Sequence, residues 1–167
     1  MPTARDPFHP ADDGARRAAR ALLTGARHGA LAVLTPGTGA PGISRVALAP
    51  GPDGGPLTLV SSLAPHHAAL AADPRAALMV GEPGPKGDPL AHPRLMIEVT
   101  ARPVPRADPG HAALRAAFLA HQPKAALYID FADFGLMRLE PVAAVLNAGF
   151  GRAFRLTPAD LRTPAAD

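Results

Sequence analysis

Apolar residues recur along this chain with two periods, one helical and one typical of strands. From 14 to 27, alanines and leucines lie on one side of a helical projection and arginines on the other, which predicts an amphipathic helix. The pattern then changes to short apolar runs. Three strands are predicted, at 29–35, 43–49 and 57–61. The turns between them are too short for a crossover helix, so these strands should pair antiparallel as a meander.

The next part of the chain predicts a short alanine-rich helix and a fourth strand. The helix follows the third strand and ends at Asp73-Pro74, because a proline disfavours the helical conformation of the residue before it. The apolar run at 75–81 predicts the fourth strand. Residues 82–93 contain several prolines and glycines, so we expect a loop without regular structure. Its length is typical of a loop with a functional role.

The C-terminal part predicts further strands and helices. Alternation and helical spacing predict the longest strand at 95–104, a helix at 109–121 and a helical turn at 158–161. Residues 125–131 fit either a helix or an extended segment. Two short apolar runs within 135–146 are hinged at Pro141, which predicts a last hairpin.

Together these elements predict a mainly β fold with helices. Six or seven short antiparallel strands and a few helices are typical of a small barrel with helical appendages, and a barrel closes its own sheet edges. The 167 residues fit one domain, 1–167, with a substantial core. We expect residues 1–13 to form a flexible lead and no accessory domain to follow the barrel.

Composition and charge exclude several classes of protein. The chain has no cysteine, which excludes disulfides, a thiol nucleophile and thiolate metal sites. The net charge is only +3 and the arginines are scattered without interleaved aromatic residues, so we expect no nucleic-acid partner. The N-terminus is charged, and no apolar run approaches the roughly 20 residues of a membrane span. These features predict a soluble, cytoplasmic protein without a membrane partner.

Residues 37–42 match the dinucleotide-binding pattern G-x-G-x-x-G and follow a predicted strand. That pattern binds pyrophosphate only where a helix opens within the glycines. Here Pro41-Gly42 leads into a strand, so we interpret the segment as a hairpin turn. The chain also lacks a G-x-S-x-G elbow, a Walker loop and a carboxylate pair suited to hydrolysis.

A polar corner lies where the third predicted strand ends and the alanine-rich helix begins. Its residues are Ser61, Ser62, His66 and His67. Free backbone N–H groups and the helix dipole favour an anion at such a place, which makes the corner a candidate phosphate site. Ser44 and Arg45 on the neighbouring strand must point to opposite faces. Arg45 could complete a phosphate clamp, because a guanidinium binds phosphate in bidentate fashion.

The sequence leaves more than one role open for the histidines and for the glycines around Phe150. His66 and His67 diverge by about 100 degrees on a helix and cannot easily share one metal, and local hydrogen bonding at a helix start explains them as well. Other candidate histidines are His92, His111 and His121. A haem site among them stays open, but no metal-binding spacing is present and we predict no metal site. The glycines around Phe150 and Arg152 fit either close approach to a ligand or a bulge.

Six segments, taken in order, resemble one family. They are ARRAARALLTGARHGALAVL (15–34), SRVALAP (44–50), LVSSLAPHHAALAADPRAAL (59–78), GDPLAHPRL (87–95), HQPKAALYIDFADFGLMRL (121–139) and GFGRAF (149–154). This ordered set resembles the pyridoxamine 5'-phosphate oxidase-like flavin-binding split barrels, and within them the HugZ-like haem-utilisation branch. The resemblance covers nearly the whole chain.

The resemblance implies a six-stranded antiparallel split β-barrel of the FMN-binding type, which forms a homodimer with FMN at the subunit interface. The implied cofactor-binding residues are Ser44, Arg45, Val46, Val60, Ser61, Ser62, Ala64, His66, His67 and Arg152. The partner subunit would close over the flavin with the loop around His92 or with the segment at 150–152.

The resemblance also implies a function. The expected protein is an FMN-dependent oxidoreductase with a small-molecule substrate, in which the flavin carries the redox chemistry and no catalytic residue is identified. The alternative is a haem-binding protein with a histidine ligand and no flavin catalysis. A vitamin B6 oxidase would carry Ser-Arg-Lys where this chain has Ala64-Pro65-His66. HugZ-like relatives commonly carry an asparagine at the position of Ala69, which is a further departure.

Overall fold

A computed structural model describes residues 6–162 of the chain. Its strands are β1 (His9–Pro10), β2 (His28–Leu34), β3 (Pro41–Pro50), β4 (Pro56–Ser61), β5 (Arg75–Val80), β6 (Arg94–Pro103), β7 (Phe134–Asn147) and β8 (Ala153–Leu156). Its α-helices are α1 (Asp13–Gly25), α2 (Pro65–Ala72), α3 (His111–His121) and α4 (Pro158–Leu161), and 3₁₀ turns lie at Pro89–Ala91 and Pro123–Leu127. Most predicted strands and helices agree closely with these bounds.

Six of the strands close into an antiparallel barrel. Their order is β7-β4-β3-β2-β5-β6, and β6 pairs back with β7 along its whole length. This confirms the predicted six-stranded antiparallel barrel, including the meander of β2, β3 and β4. Outside the ring, β8 pairs antiparallel with β7, and the short β1 pairs parallel with β8.

Aliphatic side chains at alternating strand positions fill the inside of the barrel. Leu31, Leu78 and Leu95 come from β2, β5 and β6 and are fully buried. Helix α1 adds Ala19 and Leu23 to the same cluster. Removing these side chains from water is the main term that stabilises the barrel.

A second cluster lies between α3 and the outer surface of β3, β4 and β7. Phe118 of α3 is 0% exposed and packs with Leu57, Leu59 and Leu136. Helix α3 therefore covers one outer side of the barrel.

Strands β3 and β4 separate along part of their length. They share three residue pairs, the last of which joins Leu48 and Thr58. Beyond that pair, β3 continues beside β2 and β4 continues beside β7. The Thr58 hydroxyl donates a 2.8 Å hydrogen bond to the Ala47 carbonyl where the strands part. We call the opening between residues 43–47 and residues 59–61 the barrel gap.

The expected hairpin hinged at Pro141 is wrong, because β7 runs through this position without a turn. Glu98 of β6 pairs with Ala143, whereas the next residue, Val99, pairs with Pro141. Val142 is therefore the extra residue of a β-bulge. A bulge interrupts the ladder of hydrogen bonds, so a residue without an N–H group is tolerated there.

Other segments differ in detail from the sequence pattern. Part of the expected lead forms β1, and Asp6 lies 3.3 Å from Arg155 in an ion pair, while residues 1–5 lie outside the described residues. The ambiguous segment at 125–131 begins as a 3₁₀ turn and then bends. Strands β1 and β8 were not predicted.

The G-x-G-x-x-G segment is the turn between β2 and β3, as the sequence predicted. Gly37 and Gly39 have φ angles of 80° and 68°, which glycine adopts without strain. A strand, rather than a helix, begins at Pro41. Within residues 6–162, no helix has the length and apolar character needed to cross a membrane.

Candidate functional site

Several of the predicted binding residues border the barrel gap. Ser44, Arg45 and Val46 lie on β3 beside it, and Val60 and Ser61 lie on β4 across from them. The side chains of Val46 and Val60 are buried in the core inside the barrel. A ligand in the gap would therefore meet the backbone of these two valines, not their side chains.

Ser44 and Arg45 point to opposite sides of β3, as strand alternation requires. Arg45 is exposed on the outer surface of the barrel, whereas Ser44 is half-buried on the same side as Val46. Within residues 6–162, Arg45 forms no ion pair. Its guanidinium is therefore available to an anion beside the gap.

The corner at the end of β4 contains a carboxylate that the sequence pattern did not indicate. Ser61 Oγ donates a 2.7 Å hydrogen bond to Asp133 Oδ2, and the Ser62 N–H donates to the Asp133 backbone carbonyl at 2.7 Å. Ser61 pairs with Phe134 in the sheet, which brings Asp133 to the corner. A phosphate at Ser61 would have to lie beside this carboxylate or displace it.

Arg106 holds the segment that carries Asp133. Its Nη2 donates to the carbonyl oxygens of Ile129, Phe131 and Phe134 at 3.4, 2.8 and 3.3 Å. A single guanidinium therefore joins three points of the loop before β7, and the position of Asp133 is set by the fold.

Helix α2 begins at the corner without a side-chain cap. Ala64 is its N-cap residue and offers no side-chain acceptor, and Pro65 occupies the first turn. His66 and His67 follow and are both half-buried. Burial, and to a smaller extent the neighbouring His67, lowers the pKa of His66 below its usual value. Its imidazole is therefore neutral at pH 7 and keeps a nitrogen lone pair for a ligand.

The other candidate histidines lie apart from the corner in sequence, and two of them, His92 and His121, form hydrogen bonds with backbone groups elsewhere. His92 Nδ1 accepts from the Gly84 N–H at 3.2 Å and its Nε2 donates to the Lys86 carbonyl at 2.9 Å, which organises the 82–93 loop. His111 and His121 lie at the two ends of α3. In the part of the chain that the structure describes, no three metal-ligating side chains form a cluster that could hold an ion.

Arg152 lies at the other end of β7 from the corner. The strand has 14 residues. At about 3.3 Å per residue its two ends are separated by on the order of 40 Å along the chain. Arg152 therefore reaches the corner only if a second copy of the chain supplies it. Its turn lies against the 82–93 loop, since a Cβ on Gly149 would be 3.3 Å from the Ala91 carbonyl oxygen.

One outer side of the barrel carries apolar side chains, partly or fully exposed, on β3, β2, β5, β6 and β7. The apolar residues that point outward there are Ile43, Ala30, Ala32, Ala77, Met79, Met96, Ala143 and Val145. Two charged residues, Arg45 and Glu98, lie on the same surface. Ile43, Met79 and Met96 are 75%, 48% and 43% exposed. We call this surface the open face. A groove of about 490 Å³ lies at one end of this face, where Ala32, Ala77 and Glu98 meet Arg75 and Val142.

Comparisons with known proteins agree with this architecture. The family model described as Pyridoxamine 5'-phosphate oxidase matches residues 15–146. The non-canonical heme oxygenase HOZ, chloroplastic, of Arabidopsis thaliana is 37% identical over 116 residues, which are 70% of this chain and 34% of the plant protein.

Two solved structures are similar over most of the chain. The heme binding protein from Mycobacterium smegmatis is 32% identical with a TM-score of 0.81, covering 90% of this chain and 61% of its own. Atu2129 from Agrobacterium tumefaciens, a protein of unknown function, is 34% identical with a TM-score of 0.79, covering 92% and 62%. The chain thus spans about a third of the plant relative and about three fifths of each of these structures.

Proposed function

The chain belongs to the pyridoxamine 5'-phosphate oxidase family, and from that premise we propose that it is a haem-binding member whose site lies between two copies of the chain. Two relatives, at 37% and 32% identity, are named for haem. The observation that carries the proposal is the open face beside the barrel gap. It offers an apolar surface with a guanidinium at its edge, which suits a flat apolar ring that bears carboxylates.

A second copy of the chain supplies the cover for the open face. Pairing two such faces removes Ile43, Met79 and Met96 from water, which favours association. Charge on this face is small, because Glu98 is its one acidic side chain and Arg75 at its end is already paired with Asp73 at 2.6 Å. The two apolar surfaces can therefore meet with few charges to remove from water. The homodimer that the resemblance implied is therefore part of the proposal.

The residues around the gap fit haem in three ways. Arg45 would bind a propionate, the neutral imidazole of His66 would serve as an iron ligand, and the methionines of the open face would contact the ring. Bound haem would supply the redox chemistry of its iron. The chain's own residues would bind it, orient it and exclude water from it.

FMN is the second candidate cofactor. An exposed arginine beside the gap and the uncapped start of α2 both favour a phosphate group, and with FMN the protein would be an oxidoreductase acting on a small molecule. Asp133 at the corner opposes this candidate because its carboxylate repels a phosphate. Oxidation of pyridoxamine phosphate itself is disfavoured, since Ala64-Pro65-His66 lacks the expected Ser-Arg-Lys run.

The test is a pair of titrations of the purified protein. Hemin is added while the Soret absorbance is followed, and FMN is added while its fluorescence is followed. We expect saturable haem binding whose Soret band changes in His66→Ala but not in His111→Ala, the control at the start of α3. Saturable FMN binding without a Soret band would favour the second candidate, and binding of neither cofactor would contradict both.

A further inference from the structure

The corner at the end of β4 combines an anion-favouring backbone with a fixed carboxylate. We propose that Asp133 is a specificity-determining residue that excludes phosphate-bearing ligands from this corner. The inference rests on the proposed function, because it concerns which cofactor the site beside the gap accepts.

The hydroxyl of Ser61 is already engaged on both of its sides. The hydroxyl donates a hydrogen bond to Asp133 Oδ2 at 2.7 Å, and its oxygen accepts one from the Leu63 N–H at 3.2 Å. A serine hydroxyl has one proton to donate. Ser61 therefore cannot donate to a phosphate unless the bond to Asp133 is broken.

Asp133 cannot easily move aside, because its backbone is held on both sides. The Ser62 N–H donates to the Asp133 carbonyl at 2.7 Å. The carbonyls of Phe131 and Phe134 accept from Arg106 at 2.8 and 3.3 Å. With the backbone held in this way and Ser61 Oγ donating to Oδ2, the carboxylate lies beside the position that a phosphate would occupy.

The charge of Asp133 lowers the affinity of ligands that carry a phosphate relative to similar ligands that do not. A phosphate dianion placed a few ångströms from a half-buried carboxylate loses at least about tenfold in affinity at intermediate dielectric. A hydroxyl or an amine meets no such penalty and can donate to the free carboxylate oxygen. The corner therefore accepts neutral or cationic hydrogen-bond donors and rejects phosphate monoesters.

Riboflavin and FMN provide the sharpest probe, because they differ only by the phosphate. Their dissociation constants are measured by fluorescence titration for the wild type, Asp133→Asn, Ser61→Ala and Asp130→Asn. The amide of Asp133→Asn keeps an acceptor for Ser61 and loses the charge, whereas Ser61→Ala loses the hydrogen bond and keeps the charge. Asp130→Asn is the matched control, since it removes a carboxylate of the same segment that pairs with Arg115 and, at 3.9 Å, with Arg106, and so reports any effect of disturbing the segment itself.

We expect the wild type to bind riboflavin at least as tightly as FMN. Asp133→Asn should shift the ratio of the two constants towards FMN by about tenfold or more, and the other two variants should leave the ratio unchanged. An unchanged ratio in Asp133→Asn overturns the inference, as does a wild type that prefers FMN. If neither flavin binds the wild type, FMN binding gained by Asp133→Asn supports the inference and its absence overturns it.

Hemin titration of the same samples separates this inference from the proposed function. If Asp133→Asn shifts the flavin ratio but no Soret band forms, haem binding is contradicted and the role of Asp133 is supported. If a Soret band forms but the flavin ratio is unchanged, haem binding is supported and the role of Asp133 is contradicted. Equal melting temperatures of the wild type and Asp133→Asn ensure that the ratio does not report a loss of folding.

Discussion

Arg45 is an exposed cation beside the barrel gap, without an ion pair in the described part of the chain. Arg45→Ala should weaken haem binding by about 10–100-fold, since a charge-assisted hydrogen bond contributes about 1.5–3 kcal/mol. The melting temperature should not change, because the side chain packs in no core. Soret titration measures the affinity, and Arg17→Ala on the exposed side of α1 is the control. Equal affinity in wild type and Arg45→Ala would remove Arg45 from the site.

His66 should make the stability of the folded protein depend on pH. Burial, and then the neighbouring His67, lowers its pKa below the usual value near 6.5, so the folded protein binds this proton less readily than the unfolded chain does. Its contribution to stability is therefore complete above pH 6.5 and is lost as the pH falls through the folded-state pKa. Between pH 7.5 and 5 the melting temperature of the wild type should fall more than that of His66→Gln.

His67→Gln serves as the intermediate variant in this comparison. This variant removes the smaller of the two causes that lower the pKa of His66. The loss of stability of His67→Gln on acidification should therefore lie between the losses of the wild type and His66→Gln. If the three proteins lose stability in parallel, His66 does not titrate below its usual range.

At the residue scale, the alternation of side chains along a strand was predictable from the sequence, whereas contacts between distant segments were not. The alternation around Arg45 correctly placed it on the opposite side of β3 from Ser44. Asp133 was missed because it lies in an irregular segment, and the pairing of Ser61 with Phe134, distant in sequence, brings it to the corner. No local pattern encodes that pairing.

Among the elements, α3 depends on one aromatic side chain for its attachment to the barrel. Phe118 is 0% exposed between α3 and β4, so Phe118→Ala should reduce the free energy of unfolding by about 3–5 kcal/mol through lost burial and the cavity left behind. Urea denaturation at fixed protein concentration measures it. Leu127→Ala, at a side chain that is 79% exposed, should change stability by less than about 0.5 kcal/mol. Similar losses in both variants would contradict the assigned packing of α3.

Element boundaries were predictable where the period of apolar residues was clear, and β7 shows why they failed elsewhere. Pro141 is a strong local signal for a turn, but pairing with β6 on one side and β4 and β8 on the other keeps the strand continuous. The proline is accommodated by the bulge at Val142. Long-range pairing therefore overrode a local signal. Strands β1 and β8 are too short to produce a recognisable alternation.

For the whole molecule, the proposed dimer makes a direct prediction about the open face. Met79 is 48% exposed, so Met79→Glu should leave the barrel folded but bury a charge between two copies and raise the dimer dissociation constant by at least about tenfold. Sedimentation velocity measures it. Leu127→Glu places the same charge on an exposed apolar residue outside this face and should leave association unchanged. A Met79→Glu protein that associates like the wild type would exclude this face as the interface.

The open face was partly encoded in the sequence. Strands β2 and β5 carry alanine, leucine, valine and methionine on both sides, a pattern typical of strands that are covered on both faces. Within one copy, the described residues bury one side of these strands in the barrel. What covers the other side cannot be read from the sequence, since a helix of the same chain and a second copy would produce the same pattern.

The most direct test of the central claim, that two copies of the chain hold haem between them, is sedimentation velocity of the haem-loaded protein across a dilution series. Absorbance is recorded at the Soret band and in the ultraviolet. We predict that the Soret signal sediments with the dimer and is lost as the protein dissociates. A Soret signal that sediments with the monomer at full occupancy would contradict the account.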